Sequence, residues 1–391
     1  MKTAVRVTVY IVLILLSALS IFQGVRNALR FSQDFQYDAA LALRCGIDPY
    51  EVSLSPEGVP EDSRLSDFYR VFEESGAPQK MEANQFPSLL MLLFPMTVFP
   101  YETARVLWTI LNLIFTALII ILLRKTFLKD ADRDVFNILM LLMIAGTPWR
   151  NQVGVGQHTL FSFFFFLLSV YLSEKNMTIP SGLALSVSYF KYTLTAPLAV
   201  YFLYRKKYRE FFISLIPHII GTFVGAAMLG KGFLDMIREP LKVASALAGE
   251  GSVDIGALTG GSAIGYFLTL LIMVLCVAAA FLLPQGKDRM FFSLLLLLSL
   301  IMTYHRTYDY FVLSAAAAGT VLGEGRGSGT DLSAREKVIL CFYALTVFTF
   351  FFLLRVFNES TPSLFFAAGV YYLNIMVYTC RVITHSRTVS S

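Results

Sequence analysis

Long apolar runs, among them residues 7–22, 107–123, 212–229, 263–283 and 338–354, decide what this chain can fold into. Each approaches the ~20 residues that carry a helix across about 30 Å of hydrocarbon. A backbone inside that layer finds no water and must pair its own N–H and C=O groups, so each run predicts a membrane-spanning helix. The runs are rich in Leu, Ile and Phe and lack the ~10-residue alternation of outer-membrane barrel strands. The predicted class is therefore an all-α integral membrane protein. Charge agrees: 15% of the 391 residues are Asp, Glu, Lys or Arg, against about a quarter in a soluble domain. A water-soluble fold is excluded.

Residues 1–20 resemble a secretory signal, with Lys2 and Arg6 ahead of an apolar stretch and Ser17-Ala18-Leu19-Ser20 imitating a small-residue cleavage site. The length of the run and the spans that follow it favour an uncleaved first helix. A net charge of +5 without a basic stripe interleaved with aromatics gives no reason to expect nucleic acid as a partner. The basic residues speak instead to topology. Cys45, Cys276, Cys341 and Cys380 are scattered, three of them in apolar stretches, which argues against a disulfide framework or a metal knuckle.

With Lys2 and Arg6 cytoplasmic, residues 24–102 form a first extracytoplasmic loop. Within it, residues 86–99 are apolar but short and carry Pro87 and Pro95, so they read as a juxtamembrane segment lying in the interface. A helical core occupies 103–230, and its first span ends in Arg124, Lys125, Lys129 and Arg133, a cytoplasmic signature. Residues 179–204 hold Lys191 at their middle and are followed by Arg205-Lys206-Lys207. One span would put that basic cluster outside, whereas two short helices meeting near Lys191 bring the lysine to the outer rim and the cluster inside. A second extracytoplasmic loop covers 231–261, and C-terminal helices fill 262–391. The expectation is one polytopic domain, 1–391, of about twelve membrane helices in the cell membrane, with both termini cytoplasmic. No internal repeat with matched broken helices, of the kind many transporters carry, is evident.

Candidate chemistry gathers on the extracytoplasmic side. Asp34 and Asp38 are four apart, so one helical face can present both carboxylates. A carboxylate at the membrane rim suits a general base that deprotonates a hydroxyl acceptor; capping a helix or simple solvation is the competing account of Asp34. These two residues can also share a divalent ion, although nothing demands one, and the sequence requires no cofactor. Lys191, Arg150, His305 and Arg306 are rim cations able to hold a phosphate. A lysine near a broken helix needs a partner or a function, unless its head snorkels to the interface. Gln157 and His158, after Gly154 and Gly156, either meet sugar hydroxyls or mark the end of a helix.

Four segments carry a family resemblance. Asp34-Phe35-Gln36-Tyr37, with Leu43, Gly46 and Asp48-Pro49-Tyr50 after it, resembles the first-loop signature of polyprenyl-phosphate-sugar-dependent glycosyltransferases of family 87, in the GT-C superfamily. Phe86-Pro87-Ser88-Leu89-Leu90, leading to Ala104, Trp108 and Asn112, is similar to the family's aromatic-proline segment and the helix after it. Gly156-Gln157-His158 resembles its Gly-Gln-Asn turn, and Phe190-Lys191-Tyr192 its Lys-Pro segment between short helices. The resemblance implies a GT-C-like bundle, Asp34 as catalytic base with Asp38 as fallback, and inversion at the sugar. It implies a hexose, mannose above all, moved from a polyprenyl-phosphate donor to a lipid-linked or cell-surface glycan acceptor. Taken with the rim cations read above, the expected substrate-binding set is Tyr37, Asp38, Asp48, Tyr50, Arg150, Gln157, His158, Lys191, Tyr192, His305 and Arg306. Two other classes stay open at this point: an O-antigen ligase or polymerase, and a lipid or solute transporter without chemistry.

Overall fold

A computed structural model describes residues 3–32, 35–55, 81–247, 254–259 and 262–319, with Leu65 and Tyr69 between them. Every regular element among them is helical. In chain order these are α1 (Thr3–Phe31), α2 (Tyr37–Arg44), α3 (Pro49–Leu54), α4 (Pro87–Leu90), α5 (Tyr101–Lys125), α6 (Arg133–Ala145), α7 (Thr147–Val155) and α8 (Thr159–Glu174). Then follow α9 (Thr178–Ser188), α10 (Tyr192–Tyr204), α11 (Tyr208–Leu229), α12 (Asp235–Leu247), α13 (Ile255–Leu258), α14 (Ala263–Leu282), α15 (Asp288–Met302) and α16 (Leu313–Ala317).

Among the described residues, α1, α5, α11 and α14 are each long and apolar enough to cross a membrane. They leave large apolar side chains such as Ile14, Leu15, Phe223, Phe267 and Leu270 on the outer surface of the bundle, a display that water does not tolerate and lipid does. The helices α7 and α8, bent by 107° at their junction, make a fifth span if the pair counts as one. The expectation of about twelve spans also drew on shorter helices, such as α6 and α15, and on apolar runs after residue 319 that lie outside the described residues.

The segment 179–204 is broken where its charges demand it. Helix α9 stops at Ser188, a 3₁₀ turn covers Tyr189–Lys191, and α10 starts at Tyr192. The two halves take different neighbours: α9 lies between α8 and α11, and α10 against α14 and α15. Pro197 inside α10 cannot donate to the carbonyl of Thr193 four residues back. Thr303 fills that vacancy, its hydroxyl donating to Thr193 O at 3.0 Å. The apolar residues 86–99 are likewise not a span: they fold as α4 and two 3₁₀ turns, Met91–Leu93 and Met96–Val98. Helix α4 docks on α11 where glycine leaves room, since a Cβ on Gly225 would sit 2.5 Å from Pro87 Cβ.

Polar contacts sort into two ends of the bundle. At one end Arg6 pairs with Asp134 at 3.0 Å, Arg205 with Asp288 at 2.8 Å, and Arg289 with Asp130. Asp132 caps α6, accepting from the backbone N–H of Asp134 and Val135. At the other end Lys231, just after α11, ties Asp48 to Glu239, and Lys191 meets Asp309. Each of these links joins segments that the basic-residue pattern assigns to the same side.

Candidate active site

The 3₁₀ turn between α9 and α10 presents Lys191 to the interior, with 10% of its side chain exposed. Its ammonium lies 3.4 Å from Asp309 Oδ2 and 5.5 Å from the centre of the Tyr308 ring. Asp309 sits in a second 3₁₀ turn, Thr307–Val312, after α15 and is fully enclosed. It accepts from His305 Nδ1 at 2.9 Å and from the Thr159 hydroxyl. Burial alone would raise its carboxyl, but the Lys191 charge and these hydrogen bonds outweigh burial and hold it below the usual carboxylate range. The cluster draws on three elements far apart in the chain: the α9–α10 break, the first residue of α8 and the turn after α15.

Beside it, α7 ends at Gly156, whose φ of 75° is the left-handed conformation that glycine adopts without strain. A Cβ there would lie 2.1 Å from Ser32 Oγ. Trp108 of α5 fixes the turn by donating from Nε1 to Gly156 O at 2.7 Å. The turn delivers Gln157 and His158. Edge-on contact with Phe190, at 4.7 Å between ring centres, sets the plane of the His158 ring. The end of α1 is tied to the same place: Ser32 Oγ donates to Val155 O, and Tyr101 Oη donates to Ser32 O. Phe35 then stacks on Trp108 at 5.3 Å. Asp34, between these two anchors, lies outside the described residues.

A cavity of about 100 Å³ opens at this end of the bundle. Of the residues singled out by sequence, it brings together Gln157, His158, Lys191, Tyr192 and Arg306. Arg306 is exposed, its guanidinium held over the Tyr304 ring at 5.8 Å. The segment before α4 contributes Glu82, Asn84 and Gln85, and the loop before α2 contributes Gln36.

Other residues of the expected set do not line it. His305 is completely buried and bonds Asp309, the partner of Lys191. Tyr37 donates to Phe99 O at 2.7 Å, and Tyr50 to Gln85 O at 2.7 Å, so both brace the first-loop backbone. Asp48 caps α3, accepting from the backbone N–H of Tyr50 and Glu51, and pairs with Lys231. Arg150 bonds Asn151 and Gln23. Asp38 is buried and accepts from Tyr69 Oη and Ala39 N, both at 2.8 Å. Burial pushes its carboxyl up to about 6, with those hydrogen bonds opposing.

Sequence reasoning missed Asp309, Gln85 and Gln36. Asp309 had a signal in its i, i+4 spacing from His305. Gln85 had only its place ahead of Phe86-Pro87, where proline holds the chain extended. No group of three or more His, Cys, Asp or Glu side chains able to hold a metal is found among the described residues.

The model of glycosyltransferase family 87 matches residues 87–304, more than half of the chain. The chain belongs to glycosyltransferase family 87. It is accordingly a glycosyltransferase of membrane helices, and the matched range holds Arg150, Gln157, His158, Lys191 and Tyr192. The first-loop signature with Asp34 precedes that range, and His305, Arg306 and Asp309 follow it. No curated protein and no solved structure matches the chain.

Proposed function

We propose that this family 87 enzyme moves a hexose, with mannose suggested by family analogy, from a polyprenyl phosphate to a lipid-linked or cell-surface glycan. Transfer takes place on the extracytoplasmic face and inverts the anomeric carbon. The reading rests on one observation above all: two cations, Lys191 and Arg306, share a cavity with the neutral polar side chains Gln157 and His158. A phosphate suits the first pair and a sugar the second. Nucleotide sugars are mostly cytoplasmic, so a transferase facing outward requires a lipid-borne donor. The basic-residue bias, with the cavity at the end opposite the Arg205-Lys206-Lys207 cluster, supports that orientation within a bundle of about twelve spans.

In the step itself the acceptor hydroxyl oxygen attacks the anomeric carbon and forms the new glycosidic bond. The bond from that carbon to the phosphate oxygen breaks, and its electron pair leaves with the polyprenyl phosphate. Asp34 takes the hydroxyl proton. Lys191 and Arg306 stabilise the charge that grows on the phosphate, where a preorganised cation acts without reorganising solvent. His305 and Thr159 hold Asp309, and Asp309 aims Lys191.

The test is transfer from a radiolabelled polyprenyl-phosphate hexose by the purified protein in liposomes. Asp34→Asn should lower turnover about 10²–10⁴-fold and leave thermal unfolding unchanged. Undiminished turnover removes Asp34 as the base, and the same loss in Asp38→Asn instead would move that role to Asp38.

A further inference from the structure

A buried polar atom without a partner is costly, so several of them in the walls of one cavity need an explanation. Gln36, Gln85 and His158 line the cavity and are each more than nine-tenths buried, at 8%, 4% and 3% exposed. Gln36 Oε1, Gln85 Oε1 and His158 Nδ1 have no hydrogen-bond partner among the described residues, and neither has the hydroxyl of Thr193, which lines the same cavity.

The amide nitrogens of both glutamines meet neighbours. Gln36 Nε2 donates to Glu82 O at 2.9 Å. Gln85 Nε2 spends one hydrogen on Asn84 Oδ1 at 3.1 Å and lies 3.2 Å from His158 Nε2. An amide nitrogen donates and does not accept. In this arrangement His158 Nε2 accepts and Nδ1 of the neutral ring carries the proton. With both amides turned over, Gln85 Oε1 accepts from Asn84 and from His158 Nε2, and the Gln85 NH2 and an accepting Nδ1 are left over, so one amide group and one ring nitrogen remain in either case.

We propose that Gln85, Gln36 and His158 form the subsite that reads the ring hydroxyls of the transferred sugar. The assignment rests on the donor reading given above. Two amide groups, one imidazole nitrogen and one hydroxyl complement sugar hydroxyls, each of which both donates and accepts. Tyr50 belongs to the same device as a positioning residue, since its hydroxyl holds the backbone of Gln85.

The experiment uses the full chain in liposomes and a panel of polyprenyl-phosphate donors: the hexose and its deoxy analogues, each lacking one hydroxyl. A site built to bond a hydroxyl rejects the analogue without it by up to about 10⁴-fold. Gln85→Leu should reduce the hexose-to-deoxy ratio of kcat/KM by at least about 10-fold for one ring position and leave it unchanged at the others. His158→Phe, which retains the packing on Phe190 and deletes both nitrogens, should do so at the hydroxyl it faces. Both donors meet the same preparation, so the ratio does not depend on how much of a variant folds. Ratios like those of the wild type at every position, in both variants, overturn the subsite while leaving the donor reading intact. Absence of transfer by the wild type from every lipid-phosphate hexose overturns the donor reading and the subsite together.

Discussion

The two ends of the bundle handle charge in opposite ways. At the end of Arg6 and Arg205 each pair keeps at least one partner in contact with solvent: Arg6 with Asp134 at 53% and 32%, Arg205 with Asp288 at 33% and 29%, Arg289 with Asp130 at 9% and 54%. Water shares the work of solvating them, and each is a local fastening between neighbouring helix ends. At the other end Lys191 and Asp309 are almost wholly withdrawn from water, yet they line or back a cavity in which further polar atoms lack partners. Desolvating such a pair rarely adds stability over an apolar one. The difference teaches that the first end is built to hold and the second to act.

The sharpest way to break that comparison is to remove one member of the buried pair. Asp309→Ala leaves Lys191 and His305 facing an emptied site and should destabilise the protein by about 3–5 kcal/mol, measured by thermal unfolding in detergent. The double substitution Lys191→Met with Asp309→Leu should recover most of that stability, because a buried pair replaced as a unit is close to neutral. It should recover none of the transferase activity. If Asp309→Ala costs no more than removing Asp288, the buried cluster is not the special feature argued here.

Legibility followed the range of the interactions. The break at Tyr189–Lys191 could be read because a mid-span lysine and the cluster Arg205-Lys206-Lys207 are local facts about hydropathy and charge. The need of Lys191 for a partner was readable for the same reason. The identity of that partner was not, because nothing in the order of residues shows the turn after α15 returning to the α9–α10 break. Helix α7 was hidden for another reason. Its core-facing residues Trp149 and Val153 are interleaved with Arg150, Asn151 and Gln152, which read as an outer polar stretch, yet Gln152 is fully buried. Tyr50 and Asp48 read as substrate contacts in the sequence; in the structure the hydroxyl of one bonds Gln85 O, and the carboxylate of the other caps α3 and pairs with Lys231.

Asp38 sharpens the comparison from a third direction, being buried like Asp309 but met by hydrogen bonds instead of a cation. Its carboxyl is pushed up to about 6 from an ordinary 3.8, so the folded state favours the protonated form. The penalty on the charged form is fully present above pH 6 and is lost as pH falls from 6 towards 4. Asp38→Asn, which keeps a hydrogen-bonding side chain for Tyr69 and carries no charge, should therefore unfold later than the wild type at pH 8, by about 3 kcal/mol. The advantage should vanish below pH 4. An advantage independent of pH would mean that the carboxyl is not strained by burial.

The smallest effect should come from the opposite end. Arg205 and Asp288 sit 2.8 Å apart with about a third of each side chain in contact with solvent, and exposed pairs contribute only about 0–1 kcal/mol. Asp288→Asn leaves a hydrogen-bonding group in place at the start of α15 and removes one half of the pair. It should shift thermal unfolding barely at all and leave sugar transfer at the wild-type rate, and added salt should erase what shift there is. A large loss of stability from this change would make the two ends equivalent. The cavity end would then owe its difference to Gln36, Gln85 and His158 alone, where buried polar atoms lack partners, and not to the burial of its charges.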